Sequence, residues 1–183
     1  MIENCLNNQM TIKMKKLTSI LLFSVLTLTI YSQEELDSPL NFKNKNSVQM
    51  ELFGHGLFYS LNYERIILNG ENFKTSGQVG LAYYPPKTDV RDIWIPAIIN
   101  ELISFDMHHL EFGLGYVLIN EGMRNLENEI ISREWNGMLT GRIGYRYQKP
   151  SGRFIFRVGF TPLYENEGKE FHPLGGLSFG YNF

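Results

Sequence analysis

The chain has 183 residues, 17 Lys+Arg against 19 Asp+Glu, and a single Cys. That length suits one domain with at most a short appendage. The near-zero charge excludes the basic excess of a nucleic-acid binder, and one Cys excludes a disulfide framework or a Cys-rich zinc site. A content of 13 Phe, 10 Tyr and 17 Gly, with 43% hydrophobic residues, indicates a folded, sheet-rich body.

The N-terminus reads as an address. Lys13, Lys15 and Lys16 precede the weakly polar-to-apolar run from Leu17 to Tyr31, LTSILLFSVLTLTIY. A basic stretch followed by an apolar one too short to span a bilayer comfortably is the pattern of a secretory signal peptide. The predicted signal is residues 1–32, cleaved near Ser32, and Met14 opens it more convincingly than Met1. No Cys stands at the cleavage point, which disfavours a lipoprotein, and Cys5 would be lost. The chain from Gln33 onward carries 14 Lys+Arg against 18 Asp+Glu, net −4. Residues 33–46 are a polar N-terminal tail, expected in the periplasm. No long apolar run follows, so entry into a membrane requires strands.

From Ser47 the chain alternates with period two between turn signals. The first segment, Ser47–Gly54, sets Val48, Met50 and Leu52 against Gln49, Glu51 and Phe53. The second, Leu57–Ile67, sets Leu57, Tyr59, Leu61 and Tyr63 against Phe58, Ser60, Asn62 and Glu64. The third, Phe73–Tyr84, sets Val79, Leu81 and Tyr83 against Ser76, Gln78, Gly80 and Ala82. The fourth, about Asp92–Ile103, is almost wholly apolar, so its phase is open, and Pro96 marks a disturbed or edge-like stretch.

The fifth, His109–Leu118, places Leu110, Phe112, Leu114, Tyr116 and Leu118 opposite His109, Glu111, Gly113 and Gly115. The sixth, Gly137–Gln148, places Leu139, Ile143, Tyr145 and Tyr147 opposite Thr140, Arg142, Gly144 and Arg146. The seventh, Arg153–Tyr164, places Phe154, Phe156, Val158 and Phe160 opposite Ile155, Arg157, Gly159 and Thr161. The eighth, Leu174–Phe183, places Leu177, Phe179, Tyr181 and Phe183 opposite Gly176, Ser178, Gly180 and Asn182. Segments of about 8–12 residues match the length of a tilted membrane strand, and an even count allows an up-and-down barrel.

The polar face decides which way the sheet curls. It is rich in Gly, where a solvated face would favour Lys, Glu and Thr. Small residues suit the crowded inside of an eight-stranded barrel. Glu51, Glu64 and Glu111 from the earlier strands and Arg142, Arg146 and Arg157 from the later ones form a candidate lumen charge network of structural role. A lipid-facing charge near the midplane costs about 2–4 kcal/mol, so these six should point inward. Arg65 and Glu101 fit less neatly and are expected near strand ends. A soluble, lipocalin-like periplasmic barrel, with the aromatic face inward around a ligand, is the alternative.

Loop lengths alternate. The turns near 68–72, 104–107 and 148–152 are short, and those at 85–90, 119–135 and 165–173 are longer, the outer-membrane pattern. The short connection around Gly54-His55-Gly56 breaks this trend. In loop 119–135, Met123, Leu126, Ile130 and Trp135 sit at roughly helical spacing. A short amphipathic helix is expected there, making these four the candidate recognition residues.

The sequence as a whole resembles the small outer-membrane β-barrel proteins of Gram-negative bacteria, the eight-stranded OmpA/OmpX-like group. The resemblance spans the signal peptide and residues 47–183. It is carried most specifically by the last strand, GGLSFGYNF, and also by LFYSLNYER, LEFGLGY and RVGFTPLY. It implies an all-β fold, an eight-stranded antiparallel up-and-down transmembrane barrel. It further implies that Phe179, Tyr181 and Phe183 form the C-terminal signal read by the barrel-assembly machinery, with outer-membrane lipid as the other partner. Members of the group are envelope structural proteins, adhesins, narrow channels or, less often, lipid-modifying enzymes. The leading expectation is a non-enzymatic structural or surface-interaction role through outward loops, toward an unknown surface ligand.

Catalytic and metal patterns are weak. His108 and His109 are adjacent and face opposite sides of a strand, and no His-Glu-x-x-His or metal-spaced carboxylate set occurs. Ser104, Asp106 and His108 can be written as a hydrolase triad for a lipid acylhydrolase, but any turn offers such residues. No catalytic residue, metal ligand or cofactor site is therefore expected.

Overall fold

A computed structural model describes residues 39–85, 93–124, 130–165 and 168–183. The predicted signal peptide, and Leu126 of the candidate recognition set, lie outside these residues. Ten strands are defined: β1 (Asn46–Phe53), β2 (Tyr59–Asn69), β3 (Phe73–Tyr83), β4 (Ile93–Phe105), β5 (His108–Arg124), β6 (Ile130–Gln148), β7 (Phe154–Phe160), β8 (Leu163–Glu165), β9 (Glu170–His172) and β10 (Gly175–Asn182).

Each strand pairs antiparallel with its sequence neighbour from β1 to β6. β6 then pairs with β7, β7 with β10, and β10 with β1, closing the ring. Eight walls result, because β8 continues the wall of β7 and β9 begins the wall of β10. The break falls at Thr161-Pro162, where Pro lacks the N–H a ladder needs. Beyond it β8 pairs with β6 through Leu163↔Thr140 and Met138↔Glu165, and with β9 on its other side. The fold is thus the expected closed eight-stranded antiparallel barrel.

The alternation falls as the sequence indicates. Gln49, Glu51, Ser60, Asn62, Glu64, Ser76, Gln78, Glu111, Thr140, Arg142, Arg146, Arg157 and Ser178 are buried in the lumen. Leu61, Val79, Leu81, Leu114, Ile143 and Val158 are exposed on the outside, Leu114 at 73%. Aromatic side chains flank this belt. Tyr59, Tyr83 and Tyr164 lie toward the long-loop end, and Phe73, Phe105, Phe154, Tyr181 and Phe183 toward the short-turn end. This orientation overturns the soluble, ligand-lined alternative, since the aromatic face surrounds the barrel and does not line it.

The open phase of the fourth segment resolves. Trp94, Pro96, Ile98, Asn100, Leu102 and Ser104 face inward, and Ala97, Ile99, Glu101 and Phe105 outward. Pro96 is no edge: β4 pairs with β5 through Pro96↔Val117. Its effect is confined to the β3 side, where the ladder runs from Val79↔Ala97 to Ala82↔Trp94 with no pair between.

The expected helix in loop 119–135 is not formed by the described residues. β5 and β6 continue as a hairpin beyond the wall, through Asn120↔Trp135, Gly122↔Arg133 and Met123↔Ser132 to Arg124↔Ile130. Met123, Ile130 and Trp135 are strand residues. The reason is cooperative: the β5–β6 ladder already runs thirteen pairs from His108↔Tyr147 to Asn120↔Trp135, and the four pairs beyond satisfy backbone groups that a short isolated helix would leave open.

Candidate functional site

The lumen is the part of the molecule where charge, burial and geometry converge. All six charged residues singled out from the sequence meet there. Arg142 Nη2 donates to Glu51 Oε1. Arg146 Nη1 donates to Glu64 Oε1 at 2.9 Å, and Arg157 Nη2 lies 2.6 Å from Glu64 Oε2 and 3.3 Å from Glu111 Oε1. Glu64 is the hub. It also accepts from Gln49 Nε2 at 2.7 Å and from the Ser76 hydroxyl. Three carboxylates against three guanidiniums balance, which offsets the cost of burying each.

Glutamines complete the arginines. Gln148 Oε1 accepts from Arg146 Nε at 2.8 Å, and Gln78 Oε1 accepts from Arg157 Nη1 at 2.8 Å. Glu111 differs from Glu64: neither of its buried oxygens has a hydrogen-bond partner among the described residues, so charge alone holds it. Glycine makes room for these long side chains. Gly144 opposes Gly159 and Gly159 opposes Gly176 across the ladders. A Cβ on Gly159 would lie 2.9 Å from the Gly144 Cα, so that row admits no side chain.

The connection between β1 and β2 also belongs to the lumen. Phe53, Gly54 and Leu57 adopt positive φ, which folds a single 3₁₀ turn, Gly54–Gly56, back into the barrel mouth. His55 is fully buried there. Its Nε2 lies 3.2 Å from the Gly141 carbonyl and its Nδ1 2.9 Å from Arg142 Nη2, with Glu51 Oε2 3.2 Å away. With Nε2–H donating to the carbonyl, Nδ1 is left to accept from Arg142. This explains the short outward connection that the loop pattern did not fit: it is a plug, and its length is set by the cavity.

Among the described residues an apolar cluster lies at each end of the lumen. At the long-loop end Tyr84, Trp94, Val117, Ile119, Met138 and Leu163 pack into an apolar cluster. Tyr84 pins the plug, since its hydroxyl donates to the Gly56 carbonyl and accepts from the Phe58 N–H at 3.0 Å. At the short-turn end Phe42 enters the mouth beside Ile66 and Leu102. The segment before β1 is tied down by Phe42 N–H to Asn69 Oδ1 at 3.0 Å and by Lys43 N–H to the Pro150 carbonyl at 2.9 Å. Sequence reasoning placed residues 39–45 in a tail and missed Phe42; a lone aromatic just before the first strand was its one signal.

The sequence triad does not assemble. Ser104 points inward, accepting from Lys74 Nζ at 3.1 Å and lying 2.9 Å from His109 Nδ1, beneath Phe42. His108 points outward, with Nδ1 2.6 Å from the Tyr145 hydroxyl. Arg65 and Glu101 also face outward near the short-turn end. Arg65 donates to Asn46 Oδ1 at 3.0 Å, and Glu101 accepts from the Thr75 hydroxyl at 2.9 Å. Phe179 and Tyr181 are exposed along the outside of β10, and Phe183 is exposed just after its end.

A closed ring with a charged, buried interior and an apolar exterior flanked by aromatics is the architecture of an eight-stranded barrel whose outer face suits a membrane. Among solved structures it is similar to the N-terminal β-barrel domain of OprF from Pseudomonas aeruginosa, with a TM-score of 0.52 and 17% identity, covering 77% of this chain and 100% of that one. It is also similar to Ail, the attachment invasion locus protein of Yersinia pestis, solved with the heparin analogue sucrose octasulfate. The TM-score there is 0.48 and the identity 10%, over 76% of this chain and 94% of that one. No protein-family model and no curated protein matches the sequence.

Proposed function

We propose that the chain is an integral outer-membrane protein with a structural and surface-interaction role, exerted through its outward loops and without catalysis or conduction. The single observation that carries this reading is the filled lumen. The buried Glu–Arg network lies between the Phe42 cluster at one end and the Tyr84–Trp94 cluster at the other, which favours a plugged over a conducting barrel. The exposed Leu, Ile and Val belt supports membrane residence, because an apolar band around a closed barrel matches lipid tails.

The hairpin supports the interaction role. β4 pairs with β5 only as far as Asn120, and β8 meets β6 only from Met138. Residues 121–124 and 130–137 therefore form a two-stranded ribbon beyond the wall, with Trp135 60% exposed. Loops on a rigid scaffold are where such proteins carry recognition.

Planar-bilayer recording tests the first half: the reconstituted chain should give no stepwise conductance, and reproducible single-channel steps would overturn the reading. Replacing residues 121–134 by a two-residue turn tests the second. Cells displaying that variant should keep a heat-modifiable barrel and lose adhesion to immobilised extracellular proteins and polysaccharides. Unchanged adhesion would remove the hairpin from the function.

A further inference from the structure

The hairpin formed by β8 and β9 holds a set of side chains with metal-ligand chemistry. Glu165 and Glu170 stand directly opposite each other in the antiparallel register. His172 follows two residues on, so it shares a face of β9 with Glu170. One donor atom from each of the three residues lies within 4.8 Å of the other two, and His172 Nε2 is 3.8 Å from Glu170 Oε2.

We propose that Glu165, Glu170 and His172 bind a first-row divalent metal ion, with Zn²⁺ as the fitting probe. Two arguments carry this. The first is the register. Like charges directly opposed across an antiparallel pair are unfavourable, and here the backbone holds them so. β8 is fixed on its far side by Met138↔Glu165 and Thr140↔Leu163, so Glu165 cannot slip away from Glu170. A cation between the two carboxylates is attracted by both.

The second is the donor set. One imidazole nitrogen with two carboxylates suits Zn²⁺ or its first-row neighbours, whereas Ca²⁺ and Mg²⁺ take all-oxygen shells. Metal–ligand bonds of about 2.0–2.2 Å set donors about 3–3.5 Å apart, so the cluster must contract by roughly 1 Å. His172 and Glu170 are 41% and 66% exposed, which leaves their rotamers free to do so. Water would complete the coordination. The spacing Glu-x₄-Glu-x-His matches no linear metal motif, because the strand register assembles the site.

The test is calorimetric titration of Zn²⁺ into the full chain folded in detergent, with each variant's fold checked by heat-modifiable migration. One saturable site is expected, not displaced by equimolar Ca²⁺. His172→Ala and Glu170→Gln should each weaken it by about tenfold or more, a ligand's worth of free energy. His108→Ala, which removes the other exposed imidazole, should leave it unchanged. Absence of saturable binding overturns the site, as does equal affinity in wild type and His172→Ala. Loss on His108→Ala alone moves the ion elsewhere and overturns it too.

Discussion

The Lys74 ammonium lies over the ring of Phe42, 5.0 Å from its centroid, and the pair closes the short-turn mouth of the barrel. Lys74 is anchored from above by Ser104 and from the turn by the Glu71 carbonyl at 2.8 Å. The Phe42 ring also meets His109 edge-on at 5.2 Å. Phe42→Ala removes a buried aromatic and its cation contact. It should cost about 3–5 kcal/mol, as Phe→Ala truncations in cores do. Urea unfolding in lipid vesicles measures this, and an unchanged midpoint would show that the segment before β1 adds nothing to the barrel.

Glu64 and Glu111 share Arg157 but should not be equivalent. Glu64→Gln leaves Arg146 and Arg157 short of their main counter-charge and should cost about 3–5 kcal/mol, as breaking a buried pair does. Glu111→Gln removes a carboxylate with no hydrogen bonds among the described residues, and the loss should be clearly smaller. The same unfolding series ranks the two. Equal losses would mean that net charge, and not the Glu64 hydrogen-bond hub, governs stability.

The glycine row sets a steric limit. Gly159→Val drives its Cβ toward the Gly144 backbone, so the ladder between β6 and β7 must open. Overpacking of this kind costs about 1–3 kcal/mol or more. The folded fraction in a refolding assay, read from the unboiled band, should fall sharply. Gly175→Val, where the nearest atom to a new Cβ is 3.7 Å away, should be tolerated.

Leu114 tests the lipid-facing surface. At 73% exposure it would accept Arg readily in a soluble protein. In a bilayer, Leu114→Arg should cost about 2–4 kcal/mol if the position lies near the midplane. A neutral effect on stability in vesicles would argue against membrane insertion.

Most of the fold was legible because a strand's period of two is a strong signal when one face is apolar. The run Leu110, Phe112, Leu114, Tyr116 placed Glu111 in the lumen with no knowledge of its partner. The six charges were found the same way. What the sequence did not reveal came from long-range contacts. Gly54 and Gly56 signal a turn, but nothing local says that His55 turns into the mouth, since the positive φ of Phe53 and Leu57 has no signature in those residue types. Phe42 lies in a polar stretch, and the cavity it enters is built by Ile66, Leu102 and His109, all distant in sequence. The helical spacing of Met123, Ile130 and Trp135 was a coincidence of side chains that the β5–β6 ladder overrode. The pairing of Glu165 with Glu170 needed the register of a hairpin only three residues long on each side.

The joint at Pro162 divides the seventh and eighth walls into two parts. Below it β7 and β10 hold the ring. At it the Pro162 carbonyl accepts from the Thr140 hydroxyl at 2.9 Å, and the Thr161 N–H donates to the Leu174 carbonyl at 2.7 Å. Above it β8 and β9 keep a register of their own. Changes between Asn166 and Lys169, outside the β8–β6 pairing and the contacts of Leu163 and Leu174 in the apolar cluster, should therefore leave the stagger of the ring untouched. The chain carries a rim whose tip can vary while its base stays bound to the vessel beneath it.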